Sequence, residues 1–227
     1  ALQEQELSSN EISRSITQLH RFLLDTSKDT QSVSKQADIL SQSTESIFGQ
    51  LAQFNTHSLI ETMCAQAQLT AQKVGQLFDD KIANLEISLA DLFDHEYQPI
   101  ANTNPLKYST KFDTFTDQVL PDIQEPLLAE FGAMIYAGAV DINGYFPTHN
   151  KVYSQALSGD YQQDMQHNRT KRLFNDATGI RCAKHQQDFL LQTYKRDTGE
   201  VMHDVSAPIF VNGKHWGAFR IGFKAQN

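Results

Sequence analysis

The chain has 227 residues, 40% of them hydrophobic, and a formal net charge of −8, with an isoelectric point near 5.4. That apolar content suffices for a packed core and excludes a disordered tail, while the acidic balance argues against nucleic acid or an anionic membrane as the main partner, since both need a basic field. No apolar run approaches the roughly 20 residues that span a bilayer, and no secretory leader precedes the chain.

Residues 1–51 contain no proline, and glycine first appears at Gly49. Ile12, Ile16, Leu19, Leu23, Thr26, Thr30, Val33, Ala37, Leu40, Thr44, Ile47, Leu51 and Phe54 alternate steps of four and three. This heptad seam, sustained over about six heptads, predicts a coiled-coil helix over residues 1–55 and a parallel homodimer through it. Thr26, Thr30, Ala37 and Thr44 occupy core positions and weaken the packing there, as suits a coiled coil that shifts between states. The chain starts at Ala1 in mid-helix, so it is read as the C-terminal piece of a longer protein.

Around Phe54-Asn55-Thr56-His57 the seam ends or turns. Ser58 and Glu61 then form a capping-box pattern before a second apolar series, Ile60, Met63, Ala67, Thr70, Val74, Phe78, Ile82, Leu85, Leu89 and Leu92, which predicts a helix to about Phe93. Its C-terminal half, Leu85 to Asp94, is expected against a sheet. Residues 94–126 carry Pro99, Pro105, Pro121 and Pro126, a spacing that denies one long helix. Short amphipathic pieces, Phe112 to Leu120 and Ile123 to Phe131, remain. The aromatic residues Phe93, Tyr97, Tyr108, Phe112 and Phe115 are assigned to the core.

Phe131 to Val140 reads as a strand, turned by Asn143-Gly144 into Tyr145-Phe146-Pro147. Asp188 to Arg196, Val201 to Val211 and Lys214 to Lys224 read as a three-stranded antiparallel meander. Asp197-Thr198-Gly199 and Asn212-Gly213 are its turns, and Asn-Gly is the strongest short-range hairpin signal. The five strands are expected in one sheet under a covering layer. Between the two groups lies a polar, basic stretch, Lys151 to Gln187, with Tyr153, Tyr161, His167, Arg169, Lys171, Arg172, Arg181, Cys182, Lys184 and His185.

No G-x-S-x-G, P-loop, G-x-G-x-x-G, H-E-x-x-H or C-x-x-C signature occurs in the sequence, so the reading is a protein without enzymatic activity and with no cofactor. Two alternatives stay open. Cys182 and His185, with His149, His167, His203 and His215, could ligate a metal or haem if three or four of them converged, although C-x-x-C-H is lacking. Cys182 could instead be a redox thiol, its thiolate favoured by Arg181, Lys184 and His185. A third reading is a dimerisation module without ligand. The two cysteines, Cys64 and Cys182, are too few for a disulfide framework and fit a reducing, cytoplasmic compartment.

Ala137-Gly-Ala-Val-Asp-Ile-Asn-Gly-Tyr-Phe-Pro-Thr-His-Asn150, with Ala207-Pro-Ile-Phe-Val-Asn-Gly-Lys-His-Trp-Gly-Ala-Phe-Arg-Ile-Gly222, resembles the PAS-like Cache sensor fold of bacterial chemoreceptors. The resemblance implies an α+β domain over residues 56–227, with a five-stranded antiparallel sheet and ligand-binding helices and loops on one face. The Ser/Gln/Glu-rich start, Glu4-Gln5-Glu6-Leu7-Ser8-Ser9-Asn10-Glu11-Ile12-Ser13, resembles the descending arm of the cytoplasmic signalling hairpin of methyl-accepting chemotaxis proteins. The hairpin tip, which in that family contacts a histidine kinase and its coupling protein, is absent from the sequence. What the two resemblances imply together is a cytoplasmic sensory module, with a membrane-anchored receptor as one setting for it, that binds a small solute and modulates a histidine kinase through a dimeric coiled coil.

For the ligand the residues point to a small anion or carboxylate. Arg169 and Arg172, three apart, would share one face of a helical turn, and guanidinium groups bind carboxylates through paired hydrogen bonds. Tyr136, Tyr194 and His203 come from three predicted strands and His149 follows a fourth, so they are the candidate convergent polar groups.

Overall fold

The structure is a computed structural model that describes residues 2–51, 58–195 and 201–224. The chain divides into two compact units, Ala1–Ile47 and Phe48–Asn227. Among the described residues no helix is long and apolar enough to cross a membrane.

Helix α1 runs over Leu2–Leu51. Its seam residues Ile12, Ile16, Leu19, Leu23, Val33, Leu40 and Ile47 are exposed. The threonines in the seam are locally satisfied: Thr26 Oγ1 donates to Phe22 O at 2.8 Å, Thr30 to Thr26 O at 2.8 Å and Thr44 to Leu40 O at 2.9 Å. Such back-bonding leaves no orphan hydroxyl donor in an apolar stripe. The expected seam end at Phe54 and the turn at residues 55–57 lie outside the described residues, as does the turn Asp197-Thr198-Gly199.

Helix α2 spans Leu59–Ala83, with Ser58 as N-cap accepting from Glu61 N. Its buried stripe, Met63, Ala67, Thr70, Ala71, Val74 and Phe78, repeats at helical spacing. The helix stops ten residues before the expected Phe93. Leu85 takes a left-handed φ of 60°, and Glu86 N reaches back to Lys81 O at 3.0 Å, the bonding of a left-handed C-terminal cap. Leu85 is 90% exposed, so the helix breaks there, but Ile87 and Leu92 return to the core shared with the sheet and Leu89 and Phe93 pack against it. The one-turn helix α3 (Leu89–Leu92) follows, then the two-residue strands β1 (Gln98–Pro99) and β2 (Tyr108–Ser109), and helices α4 (Asp113–Val119) and α5 (Pro121–Glu130). Pro121 opens α5, where its missing N–H costs nothing. The aromatic residues of this connector join the core of α2 and the sheet, as expected.

The main sheet has four antiparallel strands, not five. After β3 (Met134–Asp141), the short strand β4 (Tyr145–Phe146) pairs with β5 (Arg172–Leu173) in a separate two-stranded ribbon. Strands β6 (Leu190–Lys195), β7 (Val201–Val211) and β8 (Lys214–Lys224) complete the main sheet in the order β3-β8-β7-β6. The outer edge of β3 is already taken. Asn150 Oδ1 accepts from Ala137 N at 2.9 Å, and the fully buried Gln124 accepts from Ala139 N at 3.1 Å. Side chains satisfy the donors that a fifth strand would have used, a way of closing an edge.

The Asn212-Gly213 turn joins β7 to β8 with both residues at positive φ, 48° and 72°, as a two-residue hairpin loop requires. Near it the register slips between Ile209 and Phe210, which face Gly217 and His215. The extra residue, Trp216, is fully buried, donates to Leu92 O at 2.9 Å and stands edge-on to Phe78.

Pairing fixes the two faces of the sheet, because cross-strand partners share a side. Ala137, Ala139, Phe219, Ile221, Val205, Ile209 and Leu191 form one core with α2. Tyr136, Gly138, Ala218, Arg220, Gly222, Asp204, Gln192 and Tyr194 alternate onto the other face. Helices α6 (Tyr161–His167) and α7 (Ala177–Lys184) belong to the segment that covers it, with a 3₁₀ turn at Lys151–Tyr153.

Candidate functional site

The second face carries a pocket of about 660 Å³. Its floor is Tyr136 from β3, Arg220 from β8 and Tyr194 from β6; its walls include Phe146, His149, Tyr153, Arg169 and Phe174, with Tyr161 and Met165 of α6 and Asp176 and Thr178 at the start of α7.

The wall is two chain segments zipped together. Lys171 N donates to Phe146 O at 2.8 Å, Phe174 N to Gly144 O at 2.9 Å and Arg169 N to Tyr153 O at 2.7 Å. These bonds, with the β4–β5 pairing, set Phe146 and His149 beside Arg169 and Phe174. The floor admits the rings because two strand positions lack a side chain. A Cβ on Gly138 would meet the Phe146 ring at 2.5 Å, and one on Gly222 would meet the Tyr136 ring at 2.1 Å.

Four of the six candidate residues line this pocket: Tyr136, His149, Arg169 and Tyr194. Arg172 is adjacent to it without being part of the lining. The expected helical turn carrying both arginines is not formed. Arg169 follows α6 in a loop and Arg172 lies in β5, yet both guanidinium carbons stand 5.1 Å from the centre of the Phe174 ring, within cation–π reach. Both also donate to Met165 O, at 3.3 and 3.5 Å. His203 is a correction. It pairs with Phe223 and leans on its ring at 5.1 Å, and its Nδ1 meets Thr193 Oγ1 at 2.9 Å, so it sits on the α2 face. Its neighbour Asp204 takes the pocket face instead.

The electrostatics favour an anion. Burial, then the guanidinium groups of Arg169, Arg220 and Arg172, hold His149 well below the usual imidazole range, which keeps it neutral at ordinary pH. Its Nδ1 accepts from Asn150 N at 2.9 Å, which leaves the proton on Nε2. Burial and the nearby Arg169 lower Arg172 to about 10, still cationic at neutral pH. Among the described residues Arg172 makes no ion pair. Asp176 accepts from Thr178 N and Gly179 N as N-cap of α7, so it is engaged within its own helix.

The redox thiolate weighed as an alternative at Cys182 finds no support in its surroundings. Cys182 is fully buried against Val140, Phe146 and Ala218, and burial pushes its thiol up to about 12. Arg181 and Lys184 flank it in sequence but α7 turns it inward. Cys64 packs between α2 and the sheet, with its thiol also pushed up to about 12 by burial. The histidines weighed as ligands are dispersed: His149 lines the pocket, His185 meets Ser206 Oγ at 2.9 Å, His203 faces α2 and His215 leans on Phe210. Among the described residues no group of three His, Cys, Asp or Glu side chains is placed to hold a metal ion.

Arg220 is the charged floor residue the sequence reading passed over, as it did Met165 and Phe174 of the walls. Its signal was present: Ala218, Arg220 and Gly222 alternate with Phe219, Ile221 and Phe223, so one arginine stands between two small residues on a strand otherwise buried. Comparison with protein-family models, with curated proteins and with solved structures finds no match to this chain, so the pocket's own chemistry carries the functional reading.

Proposed function

We propose that residues 56–227 are a Cache/PAS-like sensory domain of a bacterial methyl-accepting chemotaxis receptor that binds a small carboxylate without turning it over. What supports this reading is the meeting of Tyr136, His149, Arg169 and Tyr194 in one pocket, with Arg172 beside it, on the sheet face opposite the one that packs against α2. Arg169 and Arg172 neutralise the carboxylate, the Tyr194 hydroxyl and the His149 Nε2–H orient it, Tyr136, whose hydroxyl donates to Asp204, supplies its ring to the floor, and the apolar rings exclude water. Strand β8 serves both faces. Arg220 looks into the pocket while its neighbours Phe219 and Ile221 pack in the core shared with α2. A ligand-induced shift of β8 therefore changes how α2 packs. In the receptor, that change passes to the dimeric coiled coil of α1 and biases a bound histidine kinase, through a coupling protein at a hairpin tip outside this chain.

The test is a thermal-shift screen of the purified protein with organic acids, amino acids and nucleobases, followed by calorimetry on the best solute. Arg169→Ala and Arg172→Ala are each expected to weaken binding about ten- to a hundredfold, because a charge-assisted contact contributes roughly 1.5–3 kcal/mol. Unaltered affinity in both variants, or a screen in which only cations bind, would refute the reading.

A further inference from the structure

We infer that the ligand carries its carboxylate on a planar aromatic ring, an aryl or arylalkyl carboxylate and not a short aliphatic acid. This inference rests on the anion-binding reading of the same pocket and adds the chemistry of the ligand's body. The first observation is size. About 660 Å³ falls within the roughly 300–1,000 Å³ of sites that enclose ligands of drug-like dimensions, and a two- to four-carbon acid would leave most of it wet.

The second observation is the arrangement of rings. Phe146 and His149 stack face to face, 4.1 Å apart at 15°. Tyr136 stands across both, at 72° to Phe146 and 60° to His149. Phe174 meets Phe146 edge-on at 77° and Tyr153 meets His149 edge-on at 68°. These are the offset-stacked and edge-to-face geometries that aromatic quadrupoles favour, continued around one cavity. A planar ring entering it finds both faces and edges to pack against, whereas an sp³ chain would gain only general apolar contact. Gly138 and Gly222 are part of the same construction, since a methyl group at either position would collide with the Phe146 or Tyr136 ring.

The third observation places the charge. The Arg169 guanidinium lies over Phe174, so the cation sits at the edge of the aromatic wall and not at a separate polar end of the cavity. A carboxylate one or two bonds from a ring matches that spacing. His149, neutral and bonded through Nδ1 to the backbone, adds a hydrogen-bond donor there without a second full charge.

The experiment is calorimetry of the whole chain with benzoate, phenylacetate and indole-3-acetate, set against acetate and succinate as aliphatic anions and benzamide as a neutral aryl compound. At least one aryl carboxylate should bind tenfold or more tighter than every control. Phe174→Leu should weaken that ligand about tenfold and succinate by a distinctly smaller factor, since the ring also carries the two guanidinium groups, with an unchanged circular dichroism spectrum as the folding control. Succinate or acetate binding as tightly as the aryl acids would overturn the inference while leaving the anion-binding reading intact. Benzamide binding as tightly as benzoate would overturn both. No heat from any aryl acid at millimolar concentration, or a folded Phe174→Leu variant with unaltered affinity, would also defeat it.

Discussion

Arg220 and Asp204 form a buried ion pair on the pocket face of the sheet, where Asp204 Oδ2 accepts from both Arg220 Nη2 and the Tyr136 hydroxyl. Asp204 is fully buried and Arg220 is 6% exposed. Burial opposes the charge on Arg220, and the Asp204 carboxylate outweighs it and holds the guanidinium above its ordinary value. Among the described residues Arg220 Nε and Asp204 Oδ1 have no hydrogen-bond partner. The pair thus anchors the floor while keeping hydrogen-bonding capacity unused.

Removing one member should be worse than removing both. Asp204→Leu leaves a buried guanidinium without its counter-charge and is expected to cost about 3–5 kcal/mol. Asp204→Leu combined with Arg220→Met should cost less than either single change. Urea denaturation of the three variants checks the ordering.

Gly222→Ala should disturb the pocket before it disturbs the fold. The added methyl would sit 2.1 Å from Tyr136 Cε1, and a displaced ring costs roughly 1–3 kcal/mol as overpacking does. Ligand affinity is expected to fall at least tenfold with a modest loss in Tm, compared by calorimetry and thermal unfolding.

The two cysteines should be silent in the native protein. Both are buried with thiols pushed up to about 12, so a chromogenic disulfide reagent is expected to titrate neither in buffer and both in urea. Fast native-state reaction at Cys182, assigned with Cys182→Ser, would restore the redox alternative. The serine variant itself should still bind the carboxylate.

Stability should decline on mild acidification. His149, held well below its ordinary value, stays neutral in the fold but takes up a proton when the chain unfolds. A depressed histidine contributes fully above the unfolded pKa of about 6.5 and loses that contribution as pH falls through it. His185, pushed down to about 4 by burial and by His215, acts in the same direction. The difference in urea midpoint between about pH 7.5 and about pH 5 should therefore shrink in His149→Phe relative to the unchanged protein.

The exposed seam of α1, with Ile16, Leu23 and Leu40 all at least 60% accessible, is expected to be covered by a second copy in parallel register. Equilibrium sedimentation at high micromolar concentration should give a dimer. Leu23→Asp, placed in the seam, should give a monomer with unaltered ligand binding.

Local patterning in the sequence was enough for α1, for the start and buried stripe of α2, for β7 and β8 and for the Asn212-Gly213 hairpin, because each depends on periodicity or on a turn residue's own φ preference. The left-handed Leu85 that ends α2 carries no such mark, since leucine rarely adopts that conformation and the backbone bonds Leu85–Ile82 and Glu86–Lys81 hold it there. The width of the sheet was likewise undecided by pattern: Tyr145–Phe146 reads as a strand wherever it goes, and it was the occupation of the β3 edge by Asn150 and Gln124 that sent it to pair with Arg172–Leu173. For the site, residue chemistry was sufficient to nominate Tyr136, His149, Arg169, Arg172 and Tyr194. Whether His203 or Asp204 faces the pocket is a question of strand phase, which alternation leaves open by one residue and cross-strand register resolves. Arg169 and Arg172 reach the same ring through a loop and a two-residue strand, a convergence set by contacts between segments far apart in the chain and absent from any local spacing.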